Sequence, residues 1–385
     1  MIPYGRQEIT QEDIDSVEKV LRSDFLTQGP VVPKFEEIVS SYSNVKYAVA
    51  VNSATSALHI ACMALGVGPG DFVWTSSITF VASANCALYC GAKVDFIDID
   101  IGTYNFSINS LEEKLAKAKL QKKLPKVIIP VHMAGQSCDM EAIYKLSQKY
   151  GFKILEDASH AIGGKYNNEP VGKCSFSDIT VFSFHPVKII TTAEGGMALT
   201  NSAYLAKRMQ LFRSHGITNK EEYMQVKPEG ELWNYQQLEL GYNYRMTDLH
   251  AALGITQMQR LDKYVLKRQY IAKQYSKRLS SLPLITPHEP QYAYSSYHLY
   301  IIRLKLDEIK KSHKEVYNEL RSMGILVNLH YIPVYRQPYF EKMGYNVGYC
   351  KNAERFFSEA ISLPLYPGIT ENNLDFIIST LKSVL

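Results

Sequence analysis

"KYAVAVNSATSALHIACMAL", residues 46–65, changes its period halfway along. Up to Asn52 it is a short, valine-rich apolar run, the pattern of a buried strand. From Ser53 onward Ala54, Leu58, Ala61 and Leu65 fall on one helical face. "GVGPGD" then turns the chain into "FVWTSS" from Phe72, and the alternation continues. "AKVDFIDID", "KVIIPVH", "FKILED", "SDITVFSFH" and "GGMALTNS" read as further strands. "TFVASANCALYC", "NSLEEKLAKAK" and "DMEAIYKLSQKY" read as helices. This alternation predicts an α/β fold with a mostly parallel sheet covered on both faces. Ligands of such sheets gather at the carboxyl ends of the strands.

From about Met246 the texture changes. Residues 247–282 form a long helical pattern interrupted mainly by Gly254, leading into a smaller α+β region. The expected division is a large domain over residues 1–250 and a small one over 251–385. A chain of 385 residues is long enough for two domains. Apolar residues at 46% and charged ones at 21% fit a soluble globular protein. A net charge of +4, with acids and bases interspersed, is too mild to argue for nucleic acid. No run reaches the roughly 18 apolar residues of a membrane span, and the first residues carry no basic-plus-apolar signal. A cytoplasmic location is expected. The six cysteines form no CxxC pair and read as buried, reduced thiols.

Three strand ends carry chemistry. In "NSATSALH" small and hydroxylic residues open a helix, where N–H groups and the helix dipole can hold a phosphate. N-capping by Asn52 or Ser53 explains the same residues equally well. In "LEDASHA", residues 155–161, two carboxylates and a histidine close a strand. The reading is either a capped turn or an Asp157 that pairs with a protonated heterocyclic nitrogen. In "FSFHPVKIITTAEGGM", residues 182–197, Lys188 stands among apolar and small residues. Desolvation there lowers an amine's pKa and makes it a nucleophile. A phosphate cradle, an aspartate for a ring nitrogen and a desolvated lysine are the parts that hold pyridoxal 5′-phosphate as a Schiff base.

These blocks, with "RSHGI", "GYNYRMTDLHAALG" and "ISLPLYPG", make the chain resemble the DegT/DnrJ/EryC1/StrS sugar-nucleotide aminotransferases over nearly its whole length. The resemblance implies the fold of the type I pyridoxal phosphate enzymes, that of aspartate aminotransferase. It implies that Lys188 bonds the cofactor, that Asp157 pairs with its ring nitrogen and that His160 lies near the ring and its 3′-oxygen. Ala54, Thr55 and Ser183 would contact the phosphate, and Phe80 would stack on the ring. Asn243 would reach the phosphate of a neighbouring subunit, which makes a homodimer part of the active site. The narrower likeness of "IPYGRQ", "DFLTQGP", "ITTAEGG" and "LHYIPVY" is to the pseudaminic-acid branch.

That likeness implies L-glutamate as amino donor, pyridoxamine 5′-phosphate as the amino carrier and a UDP-linked 4-keto-6-deoxy-N-acetylhexosamine as acceptor. It points to Tyr4, to Asp24, Phe25, Leu26 and Thr27, and to Asn328, Leu329, His330 and Tyr331 as substrate contacts, with Ala54 shared. Tyr4 and Tyr331 can hydrogen-bond or stack on a sugar, and His330 can meet a diphosphate oxygen. Arg245 is a further diphosphate candidate or a salt-bridge partner. Among the rivals, sugar dehydratases of the same family have histidine at the position of Lys188. A 4-aminotransferase giving the D-gluco amine and a non-catalytic sugar-nucleotide-binding regulator are the others. No GxxxxGK[ST] loop, no GxGxxG after a strand and no HExxH pair occurs, so nucleotide hydrolysis, hydride transfer and metal chemistry have no motif here.

Overall fold

The computed structural model describes residues 1–226 and 230–385. Its centre is a sheet of seven strands in the spatial order Tyr47–Val51, Gly196–Thr200, Ile179–Ser183, Lys153–Asp157, Val127–Ile129, Phe72–Ser76 and Lys93–Ile97. Only Gly196–Thr200 runs against its neighbours. The fold is therefore α/β, as the alternating pattern predicts.

The strands are apolar at nearly every position because both faces are buried. Val49, Val51, Val73, Val127, Ile129, Leu155, Val181 and Ala198 point to one face. They pack there on the helices Ala54–Ala64, Ala82–Tyr89 and Ala203–Phe212. The alternate residues Trp74, Ile128 and Ile154 meet the helices Ile108–Leu120 and Met140–Tyr150 on the other face. Ala48, Ala50, Phe182, Met197 and Leu199 pack beside them against the helix Val31–Ser43. This period of two is the pleat itself.

The helical pattern after Met246 breaks elsewhere than expected. Two helices form, Asp248–Met258 and Leu261–Leu279, and they part at Gln259 and Arg260. Gly254 lies inside the first one. A Cβ there would come within 2.7 Å of the Phe35 ring. The glycine is a close-packing point and not a break.

A second core gathers the antiparallel strands Leu284–Ile285, Tyr300–Leu304 and Ala360–Leu363 with the helices His313–Ser322 and Glu371–Val384. The helix Leu261–Leu279 serves both cores: Leu261, Tyr264 and Val265 pack toward the large sheet, and Ile271, Tyr275 and Leu279 toward the small one. Ile2 and Pro3 pair with Ile325 and Leu326, which brings Tyr4 to the seam. The six cysteines are free, and all but Cys90 are buried. Among the described residues no helix is long and apolar enough to cross a membrane.

Candidate active site

A cavity of about 520 Å³ opens at the carboxyl ends of the parallel strands. That is within the ~300–1,000 Å³ of small-molecule and cofactor sites. Each strand end supplies a wall. Ser53, Ala54 and Thr55 follow Val51; Thr79 and Phe80 follow Ser76; Asp157 and His160 close Lys153–Asp157; Ser183 and Lys188 close Ile179–Ser183. Tyr4, His298, Asn328, Leu329, His330 and Tyr331 complete it from the second core's side.

The "NSATSALH" block is both a capped helix start and a donor site. The Ser53 hydroxyl accepts the Ser56 N–H at 3.1 Å, and Ser56 donates to Asn52 Oδ1 at 2.7 Å. Ala54 and Thr55 stand at the first helical positions, whose N–H groups have no intrahelical acceptor and form the helix's positive pole at the cavity wall. Gly196 lets the neighbouring strand run against this turn, since a Cβ there would sit 2.5 Å from the Ala54 nitrogen.

The two carboxylates of "LEDASHA" separate because successive strand residues point to opposite faces. Glu156 turns away from the cavity. His132 Nε2 donates to it at 2.6 Å, with hydroxyls of Thr180 at 2.8 Å and Ser177 beside it. Burial pushes its carboxyl up, but these hydrogen bonds outweigh that and hold it below the usual carboxylate range. Asp157 turns inward. Its Oδ1 accepts the Ser159 N–H at 3.1 Å and its Oδ2 the Ser83 hydroxyl at 2.5 Å.

Lys188 follows the turn after Ser183, and its remaining accessible surface opens into the cavity. Burial lowers its pKa to about 8, partly opposed by the Asp157 charge. No ion pair holds it among the described residues, so the amine is free to react. His160 lies 5% exposed with Nε2 at 3.2 Å from the Tyr331 hydroxyl and a buried, unpartnered Nδ1. Burial, then Lys188, keeps this imidazole neutral. His330 is neutral for the same reasons, its pKa pushed down to about 3. Its Nδ1 is 2.9 Å from Ser362 Oγ, so toward a diphosphate it offers a hydrogen bond and no charge. Tyr4 packs on it with ring centres 5.0 Å apart. Phe80 is 56% exposed and faces Tyr331 across 6.3 Å.

Six of the predicted residues lie elsewhere in the chain. Asp24, Phe25, Leu26 and Thr27 are exposed, with Thr27 bridged to Thr247 and the Leu26 carbonyl accepting the Asp248 N–H. Arg245 bridges to Val51, and the exposed Asn243 to Ser214. None of the six lines this chain's own cavity. His298 lines it and was not anticipated. It is 4% exposed, and its ring centre is 4.4 Å from that of His160. Its only sequence signal is a histidine entering the apolar run "LYIIRL".

A buried amine of low pKa, an inward carboxylate and a helix N-terminus around one cavity fit an aldehyde that carries a protonatable ring nitrogen and a phosphate. The comparisons agree. Residues 7–382 match the DegT/DnrJ/EryC1/StrS aminotransferase family. UDP-4-amino-4,6-dideoxy-N-acetyl-beta-L-altrosamine transaminase of Campylobacter jejuni is 40% identical over 390 residues, covering 100% of this chain and 98% of that one. An aminotransferase of Helicobacter pylori involved in the biosynthesis of pseudoaminic acid superposes with a TM-score of 0.90 at 32% identity, over 100% of this chain and 98% of that one. A Streptococcus pneumoniae protein described as a sugar aminotransferase, solved in its PLP form, superposes with a TM-score of 0.88 at 30% identity over 100% and 98% of the two chains. The chain belongs to the DegT/DnrJ/EryC1/StrS aminotransferase family and is a pyridoxal-phosphate-dependent sugar aminotransferase of fold type I.

Proposed function

We propose that this enzyme moves the amino group of L-glutamate to C4 of UDP-2-acetamido-2,6-dideoxy-β-L-arabino-hexos-4-ulose, giving UDP-4-amino-4,6-dideoxy-N-acetyl-β-L-altrosamine. The observation that carries the reading is the end-to-end 40% identity with a transaminase of that name. The cavity supports it, because Tyr4 and residues 328–331 line it together with Lys188.

Lys188 is the residue to bond the cofactor. Asp157 would pair with the ring nitrogen, Phe80 would stack on the ring and His160 would lie near the 3′-oxygen. Ala54, Thr55 and Ser183 would hold the phosphate. When bound, pyridoxal 5′-phosphate would supply an aldehyde able to carry an amino group and a ring able to spread negative charge from carbon. Lys188, once freed, removes the α-proton of glutamate and later delivers a proton to sugar C4. A pKa of about 8 leaves it able to do both near neutral pH. Tyr4, Asn328, Leu329, His330 and Tyr331 hold the sugar so that one ring face meets the amine, which fixes the C4 configuration.

Asp24, Phe25, Leu26, Thr27, Arg245 and Asn243 act in this reading on a second copy's cavity, in a homodimer. Asp24 to Thr27 and Asn243 are exposed, and Leu232, Trp233 and Leu240 are bare as well, which supports it, since exposed apolar surface is usual where a partner docks. The working location is the cytoplasm.

The test is incubation with glutamate and a panel of UDP-4-keto sugars, reading proton couplings at C4 of the product. The L-altro amine is expected. Preferential amination of the D-xylo ketone to the D-gluco amine would sink the substrate assignment and leave the aminotransferase reading standing. Borohydride reduction should fix a pyridoxyl group on the peptide holding Lys188, and a label on another lysine would falsify its role.

A further inference from the structure

The Ser83 hydroxyl lies 2.5 Å from Asp157 Oδ2, and the Thr79 hydroxyl lies 2.8 Å from Ser83 Oγ. Thr79, Ser83 and Asp157 are 2%, 0% and 5% exposed. A carboxylate can only accept, so Ser83 donates its single proton to Asp157. The Thr79 hydroxyl is then the donor to Ser83. The relay has one direction, Thr79 to Ser83 to Asp157, and ends on the oxygen left free by the Ser159 N–H.

We infer that Ser83 and Thr79 are positioning residues for the cofactor's ring nitrogen. Ser83 does not line the cavity and touches nothing there; it stands behind Asp157. With Ser159 it holds both carboxylate oxygens, so the side chain cannot swing off the ring. The same relay spans Phe80, whose carbonyl accepts the Ser83 N–H at 3.3 Å. One hydrogen-bonded turn therefore fixes both the carboxylate that would meet the ring nitrogen and the aromatic residue that would stack on the ring. Water could not replace the relay without space, and Ser83 has none.

This inference rests on Asp157 facing the ring nitrogen, so the test separates the two. The enzyme is loaded with ¹⁵N-ring-labelled pyridoxal 5′-phosphate, and the proton bound to that nitrogen is observed by NMR alongside the rate of cofactor loss. Asp157→Asn should abolish the proton signal at neutral pH; if the signal persists, Asp157 does not hold the nitrogen and the inference falls with it. With that signal lost, Ser83→Ala should displace the resonance from its wild-type position. It should also speed cofactor loss about tenfold, the worth of a hydrogen bond to a charged group. Ser83→Thr, which keeps the hydroxyl, should restore both. Thr79→Val should cause the same changes to a smaller degree, and it carries the test if Ser83→Ala does not fold. A resonance and a dissociation rate unchanged in Ser83→Ala, or in Thr79→Val where that variant stands in, overturn the role of the relay while leaving Asp157 in place.

Discussion

Tyr331 Oη lies 3.2 Å from His160 Nε2, joining the segment after the central strand Lys153–Asp157 to the segment 328–332 across the cavity. The rings are inclined by only 24°. Because burial keeps His160 neutral, one of its nitrogens accepts and the other carries the proton. Tyr331→Phe removes the contact and keeps the ring. It should leave the circular dichroism spectrum intact and lower kcat/KM for the sugar nucleotide about fivefold, from the roughly 1 kcal/mol of a neutral hydrogen bond. Unchanged kinetics would mean that the bond does not help to close the site.

Lys188 makes the cofactor-free protein pH-sensitive. Its pKa is about 8 in the fold, below the ~10.4 of a free lysine. Below pH 8 the fold must carry a buried ammonium, and the unfolded chain carries a solvated one. The cost is full there, at most about 3 kcal/mol because cavity water softens it. As pH rises from 8 toward ~10.4 only the unfolded chain still holds the proton, so stability climbs and the penalty disappears. Lys188→Met should thus raise the Tm of the cofactor-free protein at pH 7, with the gain shrinking by pH 10. The same variant should lack transaminase activity. A Tm gain that is flat from pH 7 to 10 would show that the lysine is well solvated.

Asn243 is exposed and outside its own chain's cavity, which fits work in trans. Mixed dimers of Lys188→Ala chains with chains carrying a severely impaired Asn243 substitution should regain activity that neither parent has. One of the two sites then receives both intact residues. Heterodimers that form, as judged by differently tagged subunits, and yet stay inactive would remove Asn243 from a neighbour's site.

The strands and the residues at their carboxyl ends that line the cavity were legible because they depend on local pattern. A short continuous apolar run announces a strand buried on both faces, and ligand chemistry collects at its carboxyl end, so Asp157 and Lys188 stood out as candidates before any contact was known. Residues that depend on long-range neighbours were not legible. Ser83 looks like any helix serine until Asp157 arrives from 74 positions away. His298 looks like a strand entry until its ring meets His160. Asp24 to Thr27 carry no pattern that says which face they occupy. Gly254 misled for a physical reason: glycine lowers helix propensity by about 1 kcal/mol, which reads as an interruption unless the packing demands it.

That packing yields a last prediction. Within the helix Asp248–Met258, a Cβ on Gly254 would lie 2.7 Å from two Phe35 ring carbons and 2.8 Å from Thr192 Cγ2. Phe35 is fully buried and packs on Phe184 with ring centres 5.2 Å apart, so it has little room to yield. Thr192 is tied down as well, its N–H donating to the Phe184 carbonyl at 3.0 Å and its hydroxyl to the Glu194 carbonyl at 2.7 Å. Gly254→Ala gains about 1 kcal/mol of helix propensity. Overpacking a rigid core costs about 1–3 kcal/mol, and a contact this short lies toward the upper end. The expected net is a loss of about 1 kcal/mol, seen as a Tm lower by about 1 °C in a chain of this length. Since Thr192 belongs to the loop that carries Lys188, the variant should also hold pyridoxal 5′-phosphate less tightly. Titration of the cofactor-free variant by absorbance measures that. A variant as stable as the wild type with undiminished cofactor affinity would show that Phe35 and Thr192 move apart freely, and that the glycine at 254 answers to something other than their approach.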